Sequence, residues 1–185
     1  MVVPVKRERT SVKLFFPFET RTAAAAFRRG SSVFVVFNSP QALNMDALRA
    51  SLPASTATLE AETAPSGHTI LHIAPAEALL YPTMKRTENG YEWMLHLARA
   101  PVVAEEITVP EAVTRPPIRP HIALDMLQTS DPVTVTHPIT GERIRVVPSY
   151  VGETGVYPGR SFPEVEVLPS GQGIAFIPHH PSVEL

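Results

Sequence analysis

The stretch Ala23–Pro40, AAAAFRRGSSVFVVFNSP, sets a charged turn with Gly30 between two apolar runs and shuts the second with a proline. Proline has no amide proton to give to a ladder, so this spelling is that of a β-hairpin with a stop at its end. The alanines suit a helix by propensity, but the space between Thr20 and Gly30 is too short for one, and they read as the first arm. In the second arm Val33, Val35 and Phe37 take one face and Phe34 and Val36 the other. A strand apolar on both sides belongs inside a sheet or sandwich.

The same spelling returns along the chain. Thr56 to Glu62 and His68 to Ala74 flank Ser66-Gly67 and end at Pro75; Pro82 to Arg86 leads through Asn89-Gly90 into Tyr91–Leu97, closed by Pro101. Asn-Gly is the strongest local hairpin signal, and the returning strand puts Tyr91, Trp93, Leu95 and Leu97 on one face, which makes the single tryptophan a core residue. VTVTHPITGERIRVVP turns at Thr140-Gly141 with one wet face, and Val165–Pro169 and Ile174–Pro178 flank the turn Ser170-Gly171-Gln172-Gly173. Val12–Phe18 reads as a strand near an edge because Pro17 interrupts it, Val102–Val109 as one more strand, and Tyr150–Phe162 as a long loop. Ser39 as N-cap and Pro40 at the first helical position predict a short helix carrying Leu43, Ala47 and Leu48 on one face before Pro53. The expected class is all-β, with consecutive hairpins forming a sandwich or a curled, propeller- or barrel-like meander and one or two short helices. The closing prolines 40, 75, 101, 148 and 178 are too irregularly spaced for a solenoid or a standard propeller period.

Pro110, Pro116, Pro117 and Pro120 make a stiff, extended crossing. It divides the chain into a β-rich domain at 1–110, a proline-rich connector at 111–131 and a second hairpin region at 132–185. The last residues, Pro181–Leu185, read as the opening of a further strand, which predicts a fragment of a longer protein.

Apolar residues at 44% and charged residues at 18% exclude a disordered tail, and no apolar run approaches the roughly 20 residues of a membrane span. Without cysteine there is no disulfide, thiolate metal site or cysteine nucleophile. The net charge of −2 is uneven: Lys6, Arg7, Arg9, Lys13, Arg21, Arg28 and Arg29 face only Glu8 and Glu19 within the first thirty residues. Charges at turns and strand edges keep sheets from pairing with neighbours, and the same basic end suits an anionic partner, with Arg28, Arg29, Lys13 and Arg21 as the candidate contacts. Overall acidity argues against nucleic acid. The start lacks the 7 to 15 apolar residues of a signal peptide, so either the protein is cytoplasmic or the chain begins after a removed signal.

Chemistry finds little foothold. His68 and His72 lie four apart, a zinc-like spacing on a helix but about 13 Å apart on a strand. His179-His180 has no carboxylate partner nearby in sequence and reads as a surface turn. Asp46, Asp125 and Asp131 are separate carboxylates, and Asp131 before Pro132 is turn chemistry. No G-x-S-x-G elbow occurs, and Gly171-x-Gly173 precedes a strand where a phosphate cradle needs a helix. Phe15, Phe16, Phe27, Phe34 and Phe37 near basic residues resemble a stacking platform in composition, yet their alternation makes them core. No catalytic, cofactor or metal residue is expected. A pocket holding two of Asp125, Asp131, His121 and His137 would reopen the reading as an enzyme.

SVKLFFPFETRTAAAAFRRGSSVFVVFNSPQAL resembles the opening of large alphaproteobacterial envelope proteins in which a β-rich region precedes tetratricopeptide-type repeats, and FPEVEVLPSGQGIAF resembles a later strand-turn-strand of the same proteins. The first forty residues are also faintly similar to AMIN-type β-domains, which face peptidoglycan machinery. The resemblance covers about a third of the chain and rests on strand patterns. It implies export to the periplasm or envelope with the signal removed, and no catalytic residue; any helical repeat would lie beyond Leu185. The expected function is a non-catalytic scaffold or protein-interaction module of an envelope assembly. The alternatives are a peptidoglycan- or glycan-binding module and an enzyme with a loop-built site.

Overall fold

The computed structural model describes residues 11–52, 56–75, 80–101, 105–110, 121–181 and 183. In chain order the elements are β1 (Ser11–Pro17), β2 (Ala24–Arg29), β3 (Ser32–Phe37), α1 (Met45–Ser51), β4 (Thr56–Thr63), β5 (Thr69–Pro75), β6 (Tyr81–Arg86), β7 (Glu92–Ala98) and β8 (Glu105–Ile107), followed by β9 (Val133–Thr136), β10 (Arg143–Val147), β11 (Thr154–Val156), β12 (Arg160–Ser161), β13 (Val165–Val167), β14 (Ser170–Gln172) and β15 (Ile174–Pro178). They form sheets ordered β1-β7-β6, β14-β2-β3-β5-β4 and β12-β13-β15-β10-β9, plus the parallel pair β11-β8. No described sheet closes into a barrel.

The expected hairpins β2–β3, β4–β5, β6–β7 and β9–β10 are present and antiparallel. Gly30 and Gly90 take φ of +58° and +74° in their turns, a region where a Cβ is strained. Among the described residues β1 is an edge strand, as Pro17 suggests.

The two-faced apolar pattern of β3 has a direct cause: its sheet is a middle layer. On one face Ala24, Ala26, Val33, Val35, Phe37, Leu71 and Ile73 share a core with Leu14 and Phe16 of β1, Met84 of β6, and Trp93, Leu95 and Leu97 of β7. On the other, Ala25, Phe27, Phe34, Val36 and Ile70 meet Val133, Val135, Ile144 and Val146 of the β9–β10 ribbon, with Leu168, Ala175 and Ile177. A third core lies beyond that ribbon's sheet, where Val167, Ile174 and Phe176 pack with Ile107, Val109 and Val156 and with Ile122, Leu124 and Met126. The chain is therefore a stack of sheets, each buried face apolar and each outer face mixed. The alanine tract fits this: Ala25 lies so close to Gly173 that a Cβ on the glycine would come 2.9 Å from its own.

Four expectations change in the structure. The helix begins at Met45, not after Ser39, because Thr69 Oγ1 donates to the carbonyls of Ser39 and Gln41 at 2.7 and 3.0 Å and Gln41 Nε2 donates to Pro17 O at 2.9 Å. Those contacts keep 39–43 out of the helix, and Asn44 caps α1 by accepting from the Ala47 amide at 3.0 Å. Residues 170–172 are not merely the turn between two strands: they form β14, which leaves the β13–β15 ladder to pair with β2 through Ser170↔Phe27 and Gln172↔Ala26. The long loop 150–162 contains β11 and β12. The regions on either side of the proline crossing, drawn from sequence as 1–110 and 132–185, interleave. β14 completes the central sheet, β8 pairs with β11, and Ala24 exchanges both backbone hydrogen bonds with Ser149 at 2.9 Å. The prolines of 111–120 lie outside the described residues, as do Lys6, Arg7 and Arg9. No described helix is long and apolar enough to cross a membrane.

Candidate functional site

The polar residues with the most chemical capacity collect where the Gly30 end of the β2–β3 hairpin meets the β9–β10 ribbon. Arg29, the last residue of β2, reaches across the layers. Its Nε and Nη2 donate to both oxygens of Glu142 at 3.0 and 2.7 Å, and its Nη1 donates to Glu166 of β13 at 2.8 Å. The bidentate bond to Arg29 is the main reason that the Glu142 carboxyl lies below the ordinary carboxylate range, and the same bond raises Arg29.

Beside this triad, strand register aligns a row of side chains on the face toward the ribbon. Phe34 of β3 is opposite His72 of β5, which is opposite Glu60 of β4. The His72 ring stacks on Phe34 at 4.8 Å and 13°, its Nε2 is 3.0 Å from Ser32 Oγ, and its Nδ1 is 4.0 Å from Glu60 Oε2. His137, just past β9, sets its ring edge-on to Phe34 at 5.4 Å and lies 6.2 Å from His72. Burial is the main cause that pushes His72 below its ordinary value; Glu60 opposes it and His137 adds to it. Ser32, His72 and Glu60 are the residue types of a nucleophile, a base and an orienting acid. Their geometry is structural instead: Ser32 and His72 are 3% and 6% exposed, and the Nδ1–carboxylate separation exceeds a hydrogen bond.

The four basic residues singled out from sequence occupy separate places. Arg29 is held by two carboxylates. Arg28, its neighbour on the strand, points to the opposite face and lies 4.3 Å over the Tyr81 ring. Arg21 hydrogen-bonds Gln128 and lies 5.1 Å over Tyr150. Lys13 is on the edge strand β1, in register with His96. His68 Nδ1 meets Ser66 Oγ at 3.0 Å and His179 Nδ1 meets Pro163 O at 3.2 Å. Among the described residues no three His, Asp or Glu side chains gather as metal ligands. Asp46 lies in the first turn of α1, Asp131 is exposed, and Asp125 lines a groove of about 380 Å³ with Glu106, Thr108 and Thr154. Asp131, His121 and His137 do not line that groove. Sequence reasoning missed the Arg29–Glu142–Glu166 triad, whose two carboxylates lie over a hundred residues from Arg29; its only trace was charge beside turns.

A second groove lies elsewhere. A groove of about 570 Å³ runs between the end of edge strand β1, through Phe15 to Thr20, and the pinned segment Ser39–Asn44, with Leu48 of α1 at its base. Phe16 and Phe18 pack on Phe37 at 5.0 and 4.9 Å, so the walls are braced by the first core. Comparison of the chain with protein-family models, curated proteins and solved structures finds no match.

Proposed function

We propose that this protein is a non-catalytic β-rich module that docks another protein, as part of a bacterial cell-envelope assembly. The observation that carries this is the aromatic groove beside β1. It combines a strand that, among the described residues, pairs on one side only, with apolar walls that have volume for side chains. Phe15 and Lys13 face outward on that strand, so an extended segment laid along it would meet both. The groups with chemical potential support the same reading, since Ser32 and His72 are paired with each other inside the central sheet and Arg29 and Glu142 are paired across layers. The envelope setting rests on the sequence resemblance alone.

The test is site-specific photo-crosslinking in cells that express the full chain. A photoreactive residue at Phe15 or Leu43 is expected to give one discrete protein adduct, absent from the exposed position Arg143 and reduced at least about fivefold by Leu43→Asp when the probe is at Phe15. The absence of an adduct at either groove position contradicts the reading. Co-sedimentation with purified peptidoglycan sacculi, abolished by Lys13→Ala with Arg21→Ala, would favour the glycan-binding alternative.

A further inference from the structure

Two imidazoles, His72 from the central sheet and His137 from the β9–β10 ribbon, flank the single ring of Phe34 at the junction of two layers. Both residues are 6% exposed. His137 Nδ1 accepts from the backbone amides of Ile139 and Thr140 at 3.2 and 3.3 Å, and its own amide and carbonyl bond Glu142 O and the Gly141 amide at 2.9 Å each. A ring that accepts through Nδ1 carries no proton there. Adding one turns the acceptor of two turn amides into a donor facing them.

His72 has the matching property. Its Nε2 is paired with Ser32 and its Nδ1 is buried without a hydrogen bond, so the ring sits on Phe34 as a flat, uncharged body. The groups facing the pair are Ser32 on β3, Glu60 on β4 and Glu142 in the turn before β10, the last tied down by Arg29 of β2 together with Glu166 of β13. Glu60 is 68% exposed in its side chain and 4.0 Å away, which leaves it a partial partner for a charge on His72. Two like charges 6.2 Å apart around one ring oppose each other.

We propose that His72 and His137 form an acid-sensitive latch, packed shut between the central sheet and the β9–β10 ribbon at neutral pH and loosened by mild acidification, so that the ribbon lifts while the β1-β7-β6 layer keeps its packing. The sign follows from burial. His72 holds its proton less well folded than unfolded, where the value is about 6.5. Stability is therefore full above about pH 6.5 and falls as pH drops below it, by up to about tenfold in the unfolding constant per pH unit for one proton, until the folded group is itself protonated. Glu142, lowered by Arg29, acts in a separate window that opens only below its ordinary value of about 4.5.

The test is hydrogen exchange of the full chain at pH 7.5 and pH 5.2, corrected for intrinsic exchange chemistry, in the wild type, His72→Gln, His137→Asn and Glu142→Gln. The latch predicts that wild-type amides in 133–147 lose protection roughly tenfold at pH 5.2 relative to those of β6–β7. That loss shrinks at least about threefold in each histidine variant and persists in Glu142→Gln. Unchanged wild-type protection of 133–147 between the two pH values overturns the proposal, and so does an undiminished loss in both histidine variants. Should either variant fail to fold, the wild-type comparison decides alone.

Discussion

Gly171→Ala is expected to unfold most of this protein, at a cost above about 4 kcal/mol, the range reached only when backbone must move or a core is broken. A Cβ at Gly171 would lie 1.7 Å from Pro82 O and 2.9 Å from Thr83 Cα, both backbone atoms of β6. Neither can swing aside as a side chain does, so β14 must part from β6. The separation would draw Gln172, which is fully buried, away from Val151 O at 2.6 Å, and Ser170 Oγ away from Gly173 O at 2.6 Å. Gly67→Ala is the control: φ is +78° with nothing within 4 Å, so strain alone acts and about 1 kcal/mol is lost. Urea denaturation of the two variants measures the difference. Equal midpoints would show that β14 does not pass against β6.

Phe34→Ala carries the second large effect, about 3–5 kcal/mol. The ring is 1% exposed, stacked on Phe27 at 5.3 Å and on His72 at 4.8 Å, with His137 at its edge. Truncation leaves a cavity between two sheets that other contacts also hold apart, so the site cannot collapse. Domains of ordinary stability have 5–15 kcal/mol in all, and the variant would stand near the threshold. Phe15→Ala, on the outer face of an edge strand, is expected to cost about 1 kcal/mol or less, and thermal melts of the two check the contrast. A similar small loss for both would mean that the second core does not form.

These effects also mark what was legible in the residues. Val33 to Phe37 announces burial on both faces, because side-chain alternation is a local property of a strand. The glycine turns announce their hairpins for the same reason. Which sheet covers which face is not local: it depends on β1 pairing with β7 across some eighty residues and on β10 and β15 meeting over the alanine tract. Ser170-Gly171-Gln172-Gly173 reads as a turn by its glycines, but only Gly173 between β14 and β15 takes a positive φ, +69°, and it too forms a β-bridge, with Gly155. The strand before it arises from a partner 143 residues earlier, Phe27, and from the close approach of Pro82 that excludes any side chain at 171. Ser39 and Pro40 carry a sound helix-start signal that Thr69 overrides by capturing the carbonyls. Arg29, read as a candidate contact for an anionic partner, meets two carboxylates supplied by the far half of the chain.

The central sheet is the point on which the architecture turns, and cross-strand nuclear Overhauser contacts test it most directly. Backbone protons of Ser170 and Phe27, and of Gln172 and Ala26, should give interstrand contacts as strong as those between Phe27 and Phe34 within the β2–β3 hairpin. Their absence, with the β2–β3 and β13–β15 contacts intact, would contradict a middle layer shared by both halves of the chain.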